Sequence, residues 1–573
     1  MQDTVQPIER KKRSFLPENF EVKDWESLKP YYTQLLDRSI DNVDELRQWF
    51  IDRSELEAAL SEDLGWRYIR MTCDTTDEQL TEAYTYFVTQ ISPETEPYNH
   101  QLNEKAIASP FLAGIKEEGY EIMIRSMRKH IELFREENIP LKAELSKESQ
   151  RFGSINGAMS IDHDGQELTM QQAGSLLQEP NRALREEIYH KMGTRRLQDK
   201  DALNALFNTL ISLRTQVAQN ADYKNYRDYK FDELGRFDYS PQDCFDFHES
   251  VKTEVVPLLD GFARERKQKL GVDSLRPYDK AVDPENKPPL KPFGTGEELL
   301  DKSIEVFDRI DSYLGQCLRT MKAMGHLDLV SRKGKAPGGY NYPLSEIGVP
   351  FIFMNATSTL RDLVTLMHEG GHAIHSFLTR DLEIVDFKHT PSEVAELASM
   401  SMELISMDHW DVFFEDEEEL KRAKREHLEQ IVDTLPWVAT IDKFQHWIYE
   451  NPEHTVAERE EAWLGIYTAF TDEQTDWSGL EENRRNLWQR QLHLYEVPFY
   501  YIEYGFAQLG ALAVWKNYKE NPAKGLEAYL NALRLGYKRS IPEVYEAADI
   551  RFDFSKEYIR DLIAFLKEEL DKV

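Results

Sequence analysis

The segment RDLVTLMHEGGHAIHSFL, residues 361–378, carries the strongest structural signal in the chain. Its apolar residues recur at spacings of one or two helical turns, which is typical of a helix with one buried face. This stripe consists of Leu363, Met367, Ile374 and Leu378. The pattern predicts a helix that lies in the core of the molecule.

Two adjacent glycines, Gly370 and Gly371, lie in the middle of this predicted helix. Two glycines in a helix interior cost about 2 kcal/mol relative to alanine. A sequence tolerates them best where a second backbone or a ligand must approach closely, so we expect a tight contact at this point. A break in the helix at the two glycines is the alternative.

The same helix contains an HExxH motif, formed by His368, Glu369 and His372. Histidines four residues apart project from one helix face, so both imidazoles can bind one Zn²⁺. The glutamate between them leans toward the same metal without binding it, which suits a general base. With 15 histidines in the chain, the motif arises by chance with a probability of roughly a few per cent. It therefore needs support from its surroundings.

A catalytic zinc needs a third protein ligand and one open position for water, and a carboxylate on a second helix can be that ligand. The next helical segment contains Glu393, Glu396 and Glu403. Thr390 and Glu393 have the spacing of a capping box, with Pro391 at the first helical position, which gives Glu393 a structural role. Glu396 is then the candidate third ligand.

Glu403 follows Glu396 by two helical turns on the same face. If Glu396 binds the metal, we expect Glu403 close enough to hydrogen-bond the outer nitrogen of a metal-binding histidine. Two carboxylates on an exposed helix face are the alternative, and the apolar residues between them argue against full solvation.

The composition describes a large acidic globular protein. The chain has 573 residues, 41% of them hydrophobic, and 70 lysines and arginines against 103 aspartates and glutamates, for a net charge of -33. This charge repels phosphate backbones, so we expect no nucleic-acid partner. No stretch is long and apolar enough to span a membrane, and residues 1–20 lack the apolar part of a secretion signal. We expect a cytoplasmic protein.

Most of the chain has helical patterning, for example residues 120–137 and 182–213. Turn residues and a β-prone run between 338 and 355 predict a small sheet, and the prolines between 271 and 296 predict an irregular linker or surface loop. The three cysteines, Cys73, Cys244 and Cys317, are far apart and form no metal-binding or disulfide pattern. We interpret them as reduced thiols.

With the pattern E-x-x-S-x-x-x-E at residues 396–403, the chain resembles the thimet oligopeptidase and oligoendopeptidase F family of zinc peptidases, especially its bacterial Pz-peptidase-like branch. The match is good over residues 200–560 and weaker before them. Other segments share this resemblance: Leu213-Arg214 with Ala218, Tyr223, Tyr226 and Tyr229, then residues 275–279 and residues 493–505.

The resemblance implies a mostly α-helical, elongated peptidase of the zincin type, with a small β-sheet beside the active-site helix and a deep central channel. Residues 1–185 would form an N-terminal helical region that acts as a channel wall or lid, and residues 186–573 the catalytic domain. Such a channel admits oligopeptides and excludes folded proteins.

By the same resemblance, each chain binds one Zn²⁺ and the site residues take distinct roles. His368, His372 and Glu396 bind the metal, and Glu369 activates water. The substrate carbonyl and its oxyanion are held by three further residues, His493, Tyr501 and Tyr504. Tyr500 is an alternative to Tyr501. His375 lies about 10 Å along the helix from His368, which favours packing over metal binding.

These observations predict a zinc metalloendopeptidase that hydrolyses internal bonds of short unfolded peptides. The alternatives are a non-catalytic helical peptide-binding protein with structural zinc and a zinc hydrolase of non-peptide amides. A non-catalytic binding protein needs no general base such as Glu369. A closed structural zinc site would have a fourth protein ligand. We also expect the strand at residues 350–355 to offer an edge to an extended peptide.

Overall fold

The computed structural model describes residues 7–336 and 338–573. Within these ranges the chain is mostly helical, with 24 α-helices and five short strands. The helices are α1 (Trp25–Asp37), α2 (Val43–Cys73), α3 (Glu78–Tyr86), α4 (Ser92–Ala108), α5 (Tyr120–Leu133), α6 (Asn138–Gly157), α7 (Met170–Ser175), α8 (Arg182–Gln198), α9 (Lys200–Asn220), α10 (Tyr226–Glu233), α11 (Pro241–Glu254), α12 (Val256–Leu270), α13 (Gly296–Ile310), α14 (Ser312–Met324), α15 (Leu360–Thr379), α16 (Ser392–Ser406), α17 (Glu417–Glu450), α18 (Val456–Ala469), α19 (Glu481–Arg485), α20 (Leu492–Glu496), α21 (Ile502–Glu520), α22 (Pro522–Arg534), α23 (Ile541–Ala547) and α24 (Lys556–Leu570). The strands are β1 (Ser160–His163), β2 (Gln166–Thr169), β3 (Leu327–Val330), β4 (Tyr340–Tyr342) and β5 (Phe351–Ala356).

The predicted small sheet between residues 338 and 355 is confirmed, and a third strand, β3, joins it from outside that segment. Its order is β3-β5-β4, with β5 parallel to β3 and antiparallel to β4. The prediction that residues 350–355 form an edge is wrong, because β5 is the central strand and hydrogen-bonds neighbours on both sides. Strand β4 is an edge strand of this sheet, and it contacts α15.

One predicted helical stretch and one predicted irregular stretch differ in detail from the structure. Residues 182–213 form two helices, α8 and α9, because the chain turns at Asp199. The proline-rich stretch at 271–296 is irregular, as predicted, but it is anchored to the protein: Asp279 is fully buried and pairs with Arg182 at 2.8 Å and with Arg185 at 2.9 Å.

The apolar side chains pack into one large and several smaller clusters. The large cluster joins the face of α15 to α16, α17 and α21. A second cluster draws on residues between Leu16 and Met127 and reaches Ile384 and Phe387 of the later chain. The division of the chain at residues 185 and 186 stays a prediction. No helix in residues 7–336 or 338–573 combines the length and the apolar character that crossing a membrane needs.

The two glycines of α15 lie at close contacts, and the helix continues through them. A Cβ atom added at Gly371 would lie 2.6 Å from Cα of Ser399 and 2.7 Å from the carbonyl oxygen of Ala398, both in α16. A Cβ atom at Gly370 would lie 2.5 Å from the ring of Phe307. The expected close backbone approach is therefore confirmed, and it brings α16 directly against the HExxH helix.

The predicted capping box at the start of α16 is wrong. The helix begins at Ser392, so Pro391 precedes its first residue, and no side chain caps that end. Glu393 is buried instead and accepts a hydrogen bond of 2.6 Å from the hydroxyl of Tyr239. Tyr239, on the loop before α11, is therefore the partner of Glu393. The spacing had suggested Thr390 as a local partner.

We predict that Gly371→Ala destabilises the protein by about 2–3 kcal/mol, because the added methyl group overlaps the backbone of α16. Gly465→Ala is the matched control: Gly465 lies inside α18 with nothing within 4 Å of an added Cβ, so this change should stabilise by about 1 kcal/mol. Calorimetric melting temperatures of the two variants should move in opposite directions, and equal shifts would contradict the tight contact.

Candidate active site

The HExxH helix is held at its start by a local cap. The backbone N–H of Thr359 donates to the Asp362 carboxylate at 2.9 Å, and the Thr359 hydroxyl accepts from the Asp362 N–H at 3.3 Å. The cap fixes where the helix begins and so which face carries the motif. His368 and His372 lie on that face with ring centroids 4.9 Å apart.

His368, His372 and Glu396 come together as the sequence suggested. Nε2 of His368 lies 3.3 Å from Oε2 of Glu396, and Nε2 of His372 lies 3.8 Å from the same oxygen. One potential ligand atom from each of the three lies within 4.8 Å of the others. The close contact between α15 and α16 at Gly371 positions Glu396 opposite the two histidines.

Glu403 connects this cluster to a third helix. Its Oε1 accepts a hydrogen bond of 2.6 Å from Nδ1 of His368, as the two-turn spacing from Glu396 predicted. Its Oε2 lies 3.4 Å from Nε2 of His427 in α17. A carboxylate on the outer nitrogen of His368 directs Nε2 toward the cluster. His427 was missed, since nothing in the local sequence relates α17 to α15.

Glu369 lies beside the cluster and is buried, with 7% of its surface exposed. Burial raises the pKa of its carboxyl to about 7, and the neighbouring Glu396 and Glu403 add to the shift. A carboxyl with a pKa near neutrality can both accept and return a proton. The side-chain amide of Asn341, in β4, donates to the backbone carbonyl of Glu369 at 3.2 Å.

Glu396 is held in its charged form despite burial. Burial opposes ionisation, but the hydrogen bond with His368 and the proximity of His372 lower its pKa to about 2. Ser399 donates to Oε2 at 3.1 Å and Tyr500 donates to Oε1 at 3.3 Å. A charged carboxylate between two imidazoles is a suitable donor set for a divalent metal.

The segment with His493 reaches the cluster through Tyr500, whose hydroxyl donates to Glu396. His493 forms part of the short helix α20, and its Nδ1 lies 2.7 Å from the Gln491 side-chain amide. Its ring centroid is 4.7 Å from Tyr501, 5.9 Å from Tyr504 and 6.2 Å from Tyr500. The three predicted substrate contacts therefore share one aromatic group.

The tyrosines of this group face different partners. Burial raises the pKa of Tyr504, and the charge of Glu396 raises it further, as it does for Tyr500. The pKa of Tyr501 is raised by burial, and the charges that act on it are those of Arg490 and Arg361. Of the three hydroxyls, that of Tyr500 contacts the cluster directly, at 3.3 Å from Oε1 of Glu396.

Buried polar side chains from distant helices hold this segment in place. Arg214 donates to the carbonyl groups of Leu494, at 3.0 Å, and Tyr495. Phe499 has a left-handed backbone with φ of 67°, which costs about 1–3 kcal/mol unless its surroundings impose it.

Both backbone groups of Phe499 are bound. Its carbonyl accepts from the guanidinium of Arg236, and its N–H donates to Oε1 of Gln445 at 2.6 Å. Arg236 is fixed in turn by Glu503, at 2.9 Å. Arg236 and Gln445 were missed as site residues because both act through the backbone of a loop far away in sequence.

His375 does not join the cluster. It lies on the same helix but is buried in the core, and its Nε2 atom has no hydrogen-bond partner among the described residues. Burial lowers the pKa of its imidazole to about 3. This placement is consistent with the packing role expected from its distance along the helix.

An HExxH helix with a carboxylate from a neighbouring helix defines the metallohydrolase class of site. Comparison with known proteins agrees with this class. The Peptidase family M3 profile matches residues 175–563, and that of the Peptidase M3 N-terminal domain matches residues 15–134. The chain belongs to Peptidase family M3, and it is a peptidase.

Individual relatives are similar over long stretches. Oligopeptidase PepF of Bacillus subtilis (strain 168) is 23% identical over 509 residues, which cover 86% of this chain and 73% of the relative. Group B oligopeptidase PepB of Streptococcus agalactiae serotype III (strain NEM316) is 24% identical over 379 residues. This match covers 65% of this chain and 60% of the relative, which is less than two thirds of the relative's length.

The fold is also shared with a solved structure. A structure of Pz peptidase A with inhibitor 2 aligns with a TM-score of 0.90 at 26% identity, covering 97% of this chain and 98% of that one. The mostly helical fold with small sheets is thus the fold of this family.

We predict that Gln445→Ala loosens the segment that carries the tyrosines. It removes the acceptor of the buried Phe499 N–H, which costs about 1–3 kcal/mol. Hydrogen exchange should accelerate at residues 497–501, and peptidase activity should fall. Gln430→Ala, at an exposed position of the same helix, is the control. Unchanged exchange in Gln445→Ala would show that the hydrogen bond does not hold the segment.

Proposed function

We propose that this protein is a zinc metalloendopeptidase that hydrolyses internal bonds of short unfolded oligopeptides. One observation supports this most strongly: His368, His372 and Glu396 converge while Glu369, from the same helix, stays free of the three-residue cluster. Three donors and one unbound carboxylate are what a catalytic zinc site needs.

The donor set fits zinc in type and in spacing. Two nitrogen or oxygen ligands at 2.0–2.1 Å from a tetrahedral Zn²⁺ are about 3.3 Å apart. Nε2 of His368 and Oε2 of Glu396 are 3.3 Å apart, and the corresponding distance for His372 is 3.8 Å. Glu403 fixes the orientation of His368. When bound, zinc would polarise the scissile carbonyl and lower the pKa of water to about 7.

In this proposal, Glu369 moves the proton. Its carboxylate takes a proton from the attacking water and returns it to the nitrogen of the leaving amine. The burial that raises its pKa keeps bulk water away from this transfer. The hydrogen bond from Asn341 to the backbone of Glu369 holds this part of the helix against strand β4.

His493, Tyr504 and one further tyrosine would hold the substrate carbonyl. A donor directed at the developing oxyanion contributes about 3–4 kcal/mol to transition-state stabilisation. The raised pKa of Tyr504 keeps its hydroxyl protonated and able to donate. For the second tyrosine we propose Tyr500 in place of Tyr501, because Tyr500 already reaches Glu396 at 3.3 Å.

The peptide would lie in an extended form along β4. This strand is at the end of its sheet, and Asn341 in it contacts Glu369. An edge strand offers backbone groups that pair with an extended chain without regard to side chains. A channel that limits substrates to oligopeptides remains part of the proposal.

The deciding experiment compares wild type and Glu369→Gln for cleavage of an internally quenched peptide of about eight residues, with bound zinc quantified in both. We expect the rate to fall by about 10²–10⁴-fold, with unchanged zinc content because Glu369 is not a ligand. His372→Gln should lose activity and the zinc of the HExxH site.

Three outcomes would contradict the proposal. Zinc in both proteins with no cleavage by either would favour a peptide-binding protein or a hydrolase of non-peptide amides. Full activity in Glu369→Gln would exclude Glu369 as the base. Zinc retained at this site after His372→Gln would exclude the ligand assignment.

We further predict that Glu403→Gln weakens zinc binding at this site by about 10–100-fold, because the amide lacks the charge that polarises His368. Competition with a chelator measures this affinity. Glu417→Gln, at an exposed position of α17, is the control. Equal affinities in wild type and Glu403→Gln would show that Glu403 only packs beside the histidine.

A further inference from the structure

A second group of metal-binding side chains lies where α11 and α17 pack together. Each helix contributes two residues four positions apart, Cys244 and His248 from α11 and Asp442 and His446 from α17. Residues four apart share one helix face. All four are buried, with at most 1% of their surface exposed. None of them belongs to the candidate active site.

The geometry of this group suits a metal site. One potential ligand atom from each of Cys244, Asp442 and His446 lies within 4.8 Å of the others. Nε2 of His446 lies 3.2 Å from Oδ2 of Asp442, so the imidazole lies beside the carboxylate. Yet neither ring nitrogen of His446 makes a hydrogen bond within the described chain. The imidazole of His446 and the carboxylate of Asp442 are therefore adjacent but not aligned for a hydrogen bond.

His248 orients the carboxylate. Its Nε2 lies 2.9 Å from Oδ2 of Asp442, within hydrogen-bond distance. This contact leaves Oδ1 of Asp442, which is buried and has no partner in the described ranges, free to bind. Carboxylates and histidines that bind metals are commonly held in this way by an outer hydrogen bond.

The charges also favour a divalent cation. Burial opposes ionisation of Asp442, but His446 and His248 lower the pKa of its carboxyl. Burial and the charge of Asp442 raise the pKa of the Cys244 thiol, and the guanidinium of Arg236, which opposes this shift, is already paired with Glu503. A thiolate and a carboxylate together balance the charge of one Zn²⁺, and an unpaired buried charge would be costly.

We propose that Cys244, Asp442 and His446 supply three ligands of a second zinc ion, with His248 orienting Asp442 and a water molecule completing the tetrahedral coordination. A mixture of thiolate, imidazole and carboxylate donors is typical of zinc. Binding displaces the proton of the Cys244 thiol to solvent and forms the zinc–sulfur bond. The ion cross-links α11 to α17 one residue from Gln445, which holds the Phe499 loop. The proposal does not depend on the proposed peptidase mechanism.

The test uses His368→Ala/His372→Ala as the host protein, so that the HExxH site contributes no metal. After purification with zinc and gel filtration, metal analysis should give about one zinc per chain in the host and about two in wild type. Adding Cys244→Ser to the host should abolish the remaining zinc. Adding Cys317→Ser, at a buried cysteine in α14, should not.

Substitution with cobalt gives a readout that requires no activity. Co²⁺ bound to Cys244 should give the host a thiolate-to-cobalt charge-transfer band in the near ultraviolet, which Cys244→Ser loses and Cys317→Ser keeps. If circular dichroism shows that Cys244→Ser does not fold, the proposal is tested by the host protein alone, which should show the charge-transfer band. A host without zinc and without this band overturns the proposal, as does equal zinc in host and Cys244→Ser.

Discussion

The contact between α15 and α16 at Gly371 is the constraint on which the site depends. Only a residue without a side chain lets the backbone of α16 come so close. That distance places Glu396 within 3.3 Å of His368 and brings Glu403 to the outer nitrogen of the same ring. A wider helix spacing would leave the two histidines as a pair without a third ligand. The favourable burial of both helix faces offsets the cost of glycine in the helix.

The second part of the site is the segment that follows His493 and includes Phe499. Buried side chains from elsewhere in the chain hold this segment rigid. Arg214 holds the carbonyl groups after His493, while Arg236 and Gln445 hold the left-handed Phe499. Arg214 comes from α9, Gln445 from α17, and Arg236 from the segment between α10 and α11. The tyrosines are therefore positioned by tertiary contacts, and their orientation depends on the integrity of the whole helical core.

Local sequence patterns predicted the parts of the site that lie on helices. The spacing of His368, His372, Glu396 and Glu403 describes single helix faces, so their convergence followed once two helices packed. The prediction of a capping box at Thr390 was wrong because Glu393 binds a distant residue, Tyr239. The prediction of an edge strand at residues 350–355 was wrong because β3 pairs with the second side of that strand. His427 and the group around Cys244 join helices far apart in sequence, and Arg236 lies in a loop that contacts Phe499 and Glu503. No spacing rule relates these partners.

Anomalous diffraction at the zinc absorption edge, from crystals of the zinc-loaded protein, tests the central claim most directly. We predict a peak within about 2.0–2.2 Å of Nε2 of His368, Nε2 of His372 and one carboxylate oxygen of Glu396. Glu403 should remain on the outer side of His368, with no contact to the ion. A peak bound to Glu403 or Glu369 in place of Glu396, or no peak between α15 and α16, would contradict the account.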